Sequence, residues 1–397
     1  MPAALSNFIH AARWIAALAV LLAHANVLIS LSDIMVGPHG PLVYVWWFAT
    51  AFSHQAVTVF FVLSGFLVGG RVFTALRQST PFLRAYFIDR ASRLYIVLIP
   101  ALALTFALDA LGRRLFAGAG IYELAGREGA FEPSRILSTL AMQQHIWAGQ
   151  AGTNGPLWSL ACEFWYYLLF PLLLLPFARC YFEPARLAAF GVGVALLCVL
   201  SLPSTRFPVG FAIWTTGALA ARARRPLLRG KYLSLGLFLV VVVVARLAVR
   251  GPFVEAHPII HDLADALTAA TFANLLATLR FCETGLRLPL PALHRRLADF
   301  SFSLYATHMP IVFFFWAGAG HIFGKDWLEL LPTPAHWSAA AALLLVATAV
   351  AWGFSRATEA HTPALRRRFH AAFAALDRRM RLGERARWVG QGRAEGL

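Results

Sequence analysis

Arg13 and His24 stand eleven residues apart in one apolar stretch, residues 8 to 31. On an α-helix eleven steps of about 100° return to within roughly 20°, so the guanidinium and the imidazole share a face, about 16 Å apart along the axis. Imidazole is the side chain best suited to take up and release a proton near neutral pH. A second apolar stretch, 156 to 178, carries Glu163. A carboxylate beside a histidine in a cavity of low dielectric fixes its tautomer and stabilises the imidazolium. The same two groups also suit a plainer role, a hydrogen-bonded pair that ties two helices together.

Further along, RAYFIDRASRLYIVLIP sets Arg90 and Arg93 three apart, after Arg84. Residues i and i+3 share a helix face, and two guanidiniums there can grip phosphates bidentately, as a donor such as coenzyme A would require. Anchoring of a helix end at a membrane surface explains the same arginines without a ligand. In FFVLSGFLVGG the small residues Ser64, Gly65, Gly69 and Gly70 permit close approach of a backbone to another helix or to a ligand. His54 stands just before that segment. Asp262, Asp265 and His308 are the other ionisable groups in apolar surroundings, the last of them two residues ahead of Pro310. Each costs at least ~2.5–3.5 kcal/mol if charged in a bilayer, so each needs a reason. Partial exposure at a span end would explain the aspartates, and a hydrogen bond capping a proline kink would explain the histidine.

Other chemistries find no support. Cys162, Cys180, Cys198 and Cys282 stand singly, with no CxxC and no metal-ligand spacing. No metal is expected. The chain has no Walker loop, no GxGxxG, no GxSxG and no fixed repeat.

The elements that must position these groups follow from hydropathy. Of 397 residues 59% are hydrophobic and 14% charged, against roughly 25% charged in a soluble domain. Apolar stretches near 8–31, 50–70, 94–111, 156–178, 187–203, 207–221, 232–249, 260–279, 300–321 and 336–355 predict an all-α polytopic transmembrane helix bundle of about ten spans. Residues 1–356 form the membrane domain and 357–397 a basic cytoplasmic tail. The 207–221 stretch is short, and 260–279 contains both aspartates. The segment 112–155, rich in glycine and bearing Gln143, Gln144, His145 and Trp147, suits either a lid for a sugar-like acceptor or a connector.

The net charge of +16 first suggests a polyanionic partner, and its distribution argues otherwise. With both termini cytoplasmic, 26 basic and eight acidic residues fall on the inner side and eight of each on the outer. That asymmetry is the positive-inside rule, so orientation rather than nucleic acid accounts for the charge. A cleaved signal peptide over residues 1–25 is a competing reading of Arg13 and Ala23-His24-Ala25. In this topology His24 and Glu163 each lie seven residues from the outer end of their spans, which predicts similar depth.

The ordered motifs resemble the integral-membrane acyltransferase-3 family, which includes bacterial O-acetyltransferases of surface polysaccharides and macrolide acyltransferases. Arg13 and His24 match its Arg-x10-His motif, FFVLSGFL its second-span signature, and Arg90-Ala-Ser-Arg93 its RxxR. GPLWSLACEFWYYLLF is similar to its PLWSLxxE segment with Glu163, and SFSLYATHMPI to its SYSLYxxHxPI segment with Ser303, Tyr305, His308 and Pro310. The likeness covers about residues 8 to 315. It implies acyl transfer from cytoplasmic acyl-CoA, acetyl-CoA above all, to a hydroxyl of a carbohydrate or related small molecule at the inner (plasma) membrane. His24 would then be catalytic base or acyl carrier with Glu163. Arg13, Arg90 and Arg93 would hold the donor, and Ser64, Tyr305 and His308 the substrate. No permanently bound cofactor is implied. The chain departs from the pattern at SHQAVTV, where glycines and an acidic residue are usual and Thr58 stands, and at Phe164, where many members carry a second glutamate. The tail is too short for the esterase-like domain of some members, and its arginines suit an amphipathic or disordered segment on anionic lipid. A transporter or flippase with a Glu/Asp/His proton relay is the rival reading.

Overall fold

Long helices occupy all ten positions at which hydropathy predicts spans, and no β-sheet occurs among the described residues. The structure, a computed structural model, describes residues 1–29, 40–78, 80–123, 130–248, 257, 259–282, 284–329 and 332–394, with side chains outside 379–394. The long helices are α1 (Ala3–His24), α2 (Ser53–Ser64, continued through a π-turn at Gly65–Gly69 into Gly70–Ala75), α3 (Leu83–Leu115), α4 (Trp158–Leu174) and α5 (Glu183–Ser201). They continue with α6 (Arg206–Arg222), α7 (Lys231–Ala248), α8 (Ile259–Phe281), α9 (Ser301–Phe323) and α10 (Pro334–Ala357). A last helix, α11 (Thr362–Ala394), forms the tail. Among the described residues eight helices are long and apolar enough to cross a membrane. The two spans that fall short are α6, of 17 residues, and α8, which carries Asp262 and Asp265. Both pack inside the bundle, α6 against α2 and α8, and α8 against α2 and α7.

The apolar surface is divided as a lipid solvent demands. On α5, Leu187, Phe190, Val192, Val194 and Val199 are exposed, and on α7 Leu237, Leu239, Val240, Val244 and Leu247. So much contiguous aliphatic surface is stable only against acyl chains or another protein. In contrast α9 is buried for most of its length and packs on α1, α3 and α10. The protein is a multi-pass membrane protein with α1, α2 and α9 at its centre.

Contacts across the chain gather the predicted inner segments at one end. Trp14 Nε1 donates to His294 Nδ1 at 3.0 Å, Lys231 Nζ to the Gly285 carbonyl at 2.6 Å, and Arg280 Nη1 to the Ala221 carbonyl at 2.5 Å. The tail joins the same end as a helix docked on α3. Arg84 pairs with Asp377 at 2.6 Å, and Asp89 forms an ion pair with Arg366 at 3.1 Å and accepts from His370 Nε2 at 3.2 Å.

Of the 112–155 segment, Gly126 and Gly129 lie outside the described residues. The rest is more than a connector. Asp109, fully buried, accepts the Thr153 backbone N–H at 2.9 Å and the Thr153 hydroxyl at 2.7 Å, and Asn154 Nδ2 donates to the Ala306 carbonyl at 2.9 Å. Met142 and His145 each hold a left-handed φ of 57°, a conformation that side chains with a Cβ resist. Residues 141–154 thus run into the bundle as irregular chain tied by hydrogen bonds to α3 and α9, the kind of protein partner that non-helical backbone needs at membrane depth.

The small residues of α2 serve close packing against α6. A Cβ on Gly65 would lie 1.8 Å from the Trp214 carbonyl oxygen, and one on Gly217 would lie 2.0 Å from that of Val62. Both obstacles are backbone and cannot rotate away. Gly217→Val is therefore expected to cost at least the ~1–3 kcal/mol of an overpacked core. A thermal midpoint in detergent equal to wild type would show that the crossing is looser than this.

Candidate active site

The middle of α1, the inner halves of α2 and α3, the first half of α4 and the starts of α9 and α11 enclose a cavity of about 340 Å³. Arg13, Arg71, Arg90, Arg93 and Arg366 line it, with Glu163 the one acid among the described lining residues. Arg13, Arg71 and Arg90 make no ion pair within the described residues, and Arg93 reaches Glu359 only at 4.0 Å. Arg90 instead stands 5.9 Å from the centre of the Tyr167 ring and 6.0 Å from that of Tyr86. Partly buried guanidiniums with so little counter-charge favour a multiply charged anion.

Ser64, Tyr167 and Glu163 form one chain on the cavity wall. Tyr167 donates to Glu163 Oε1 at 2.5 Å, its oxygen lies 3.1 Å from Ser64 Oγ, and Trp214 Nε1 donates to that Oγ at 3.0 Å. Deeper, Tyr305 closes the cavity with Phe60, their rings 5.7 Å apart. Its hydroxyl lies 2.6 Å from Ser159 Oγ and donates to the Pro156 carbonyl at 2.8 Å.

Beyond this wall lie the imidazoles. His24 is partly accessible and His308 only 1% exposed. Their rings are 5.0 Å apart, with His308 Nε2 at 3.2 Å from His24 Nδ1, and the His308 ring is 5.9 Å from that of Tyr305. Neither histidine lines the cavity itself.

The predicted residues are thus brought together in two layers. Arg13, Arg90, Arg93, Glu163, Ser64 and Tyr305 share the cavity, and His24 and His308 form a pair behind it. Equal depth for His24 and Glu163 does not follow. The helical part of the fourth span begins only at Trp158, where Ser159 already meets Tyr305, one turn from the inner start of α9. Counting from the outer edge of the apolar stretch placed Glu163 too near the outside, and its neighbours include Arg13 rather than His24.

Three cavity residues escaped the pattern. Tyr167 is one helical turn from Glu163, an i,i+4 pair that spacing could have revealed. Arg71 reads as a topology anchor and Arg366 as part of a polar tail, and only tertiary structure brings them in. Asp265 takes a separate course. It accepts from His54 Nε2 at 2.8 Å and from the Thr58 hydroxyl at 3.1 Å, at the outer end of α2.

A family profile for an acyltransferase domain matches residues 6–356. The acyltransferase MdmB of Streptomyces mycarofaciens is 27% identical over 398 residues, covering 89% of this chain and 90% of that protein. An uncharacterized protein of Haemophilus influenzae is 32% identical over 121 residues, covering 30% of this chain and 47% of its own. No solved structure matches the chain.

Proposed function

The chain belongs to this membrane acyltransferase family, and from that premise we propose that it moves an acyl group, acetyl in the simplest case, from cytoplasmic acyl-CoA to a hydroxyl of a carbohydrate or related small molecule in the inner (plasma) membrane. The observation that carries the reading is the arginine-lined cavity with the His24–His308 pair behind its Tyr305 wall.

Coenzyme A offers a narrow thiol arm on a nucleotide with three phosphates. The cavity suits the arm together with the phosphates nearest it, and exposed Arg71 with half-exposed Arg366 would meet the others. Arg13, Arg90 and Arg93 supply planar donors that match phosphate oxygens. To meet His24 the acyl end would have to pass Phe60 and Tyr305, the wall that separates the cavity from the histidine pair. His24 then takes the proton of the acceptor hydroxyl, the acceptor oxygen bonds to the thioester carbonyl carbon, and the carbon–sulfur bond breaks. The thiolate leaves with the proton that His24 held. Such base catalysis contributes roughly 10²–10⁴ in rate. The acyl-carrier route would use the same imidazole as nucleophile, and rapid-quench mass analysis would find the acyl group on it.

The test is release of free thiol from acetyl-CoA by the purified full-length protein, with sugars and other polyols as acceptors. Acceptor-dependent thiol release with one acyl mass gained by the acceptor is expected. No thiol release with acetyl-, propionyl- or longer acyl-CoA, while cells lacking the gene keep every acylated glycan and metabolite, would overturn the proposal.

A further inference from the structure

The hydrogen bonds around the buried histidine pair leave only one neutral proton arrangement. Nδ1 of His308 lies 2.8 Å from the Tyr305 carbonyl oxygen and 3.2 Å from that of Leu304. Carbonyl oxygens only accept, so this nitrogen carries a hydrogen. In a neutral imidazole the other nitrogen is then a bare lone pair. That nitrogen, Nε2, lies 3.2 Å from His24 Nδ1, so His24 must be the donor between them. The second neighbour of His24 Nδ1 leads to the same answer independently, because the Val20 carbonyl oxygen stands 2.9 Å away and also needs a donor. Three carbonyls at the two ends of the pair therefore fix both rings in the Nδ1–H form. What remains is Nε2 of His24, with its lone pair and no hydrogen-bond partner among the described residues.

We infer that His308 is a positioning residue, whose Nε2 accepts the Nδ1–H of His24 and so holds the Nε2 lone pair of His24 as the atom that takes the acceptor's proton. This rests on the reading of His24 as the reacting group. In the familiar serine hydrolases the orienting partner is a carboxylate. Here the partner is 1% exposed, and an ionised acid at that position would stand desolvated without a cation beside it. A neutral imidazole supplies the same acceptor without a resident charge. When Nε2 gains the proton, Nδ1–H continues to donate to Val20 and His308, so the ring need not turn during the cycle. Glu163, which the sequence offers for this role, is engaged with Tyr167 in the cavity.

Nitrogen-15 spectra of histidine-labelled full-length protein in nanodiscs read the tautomer directly. Near neutral pH wild-type His24 is expected to show a protonated Nδ1 and a lone-pair Nε2, assigned by loss of its signals in His24→Gln. A wild-type His24 with the hydrogen on Nε2 overturns the inference whether or not the protein turns over acyl-CoA. A correct tautomer with no thiol release would instead overturn the acyltransferase mechanism and leave the positioning of the ring standing. Kinetics add a second arm. His308→Leu is expected to lower kcat about 10²-fold with KM for acetyl-CoA within about twofold, and to give mixed His24 tautomers. His308→Gln, which keeps an acceptor near the Nε2 position, is expected to recover about tenfold of that loss. Equal kcat for Leu and wild type would reduce His308 to packing.

Discussion

His24→Gln is expected to lower acceptor-dependent thiol release by roughly 10²–10⁴-fold, the range that a positioned base contributes, while the protein inserts and accumulates like wild type. The separation of the two effects follows from where α1 is held. Its packing comes from Leu5, Ile9, Ala16, Ala17, Val20 and Leu21, all buried, and none is altered. Glutamine is the better first substitution because it fills most of the space of the ring and can still donate to His308. His24→Ala should be equally inactive, but it leaves the His308 Nε2 acceptor without its donor, at about 1–3 kcal/mol for a buried polar group. A loss of expression in that variant would therefore say little about chemistry, whereas an inactive, well-folded His24→Gln speaks to it directly. Turnover by His24→Gln within about threefold of wild type would remove His24 from the mechanism.

The helices were legible because a bilayer imposes one dominant rule, a stretch of apolar residues long enough to cross it. Even α6 and α8, marginal by length or charge, appear where periodic apolar residues place them. Depth was less legible. Residues 141–154 enter the bundle without forming helix, held by Asp109, Thr153 and Asn154, and no count along the chain can register that. The displacement of Glu163 from His24 toward the arginines is its direct consequence. The His24–His308 contact was illegible for a different reason: it joins residues 284 positions apart, and both histidines had adequate local explanations. Thr58 shows the opposite case. The segment SHQAVTV lacks an acidic residue, yet Asp265 reaches across from α8 to bond Thr58 and His54. A carboxylate therefore stands beside that segment, though it is absent from it in sequence. The same contacts tie Asp265 to α2, and among the described residues no hydrogen bond joins it to His24 or His308.

For the donor side, Arg90→Ala/Arg93→Ala is expected to raise KM for acetyl-CoA by about 10²–10⁴-fold with a much smaller change in kcat. Charge-assisted hydrogen bonds contribute roughly 1.5–3 kcal/mol each, and binding lost equally from ground and transition states appears in KM. The two arginines are not equivalent. Arg90 has no ion pair among the described residues and touches only aromatic faces, whereas Arg93 faces Glu359 at 4.0 Å and the Phe302 ring at 5.8 Å. Arg90→Ala alone therefore removes a ligand contact with little internal repair, and Arg93→Ala also frees Glu359, which would remain tied to the Ser303 hydroxyl at 3.0 Å. Lysine should rescue poorly at both positions, because it keeps the charge and loses the bidentate fork. The decisive comparison sets acetyl-CoA against acetyl-pantetheine, which carries the same thioester and no phosphate. Wild type should prefer acetyl-CoA strongly, and the double variant should use the two donors almost equally, since the advantage of the phosphates disappears with the groups that bind them. If the variant keeps the full preference, the phosphates are held elsewhere, with Arg71 and Arg366 the next residues to replace, and Arg90 and Arg93 return to the role that positive-inside topology alone would give them.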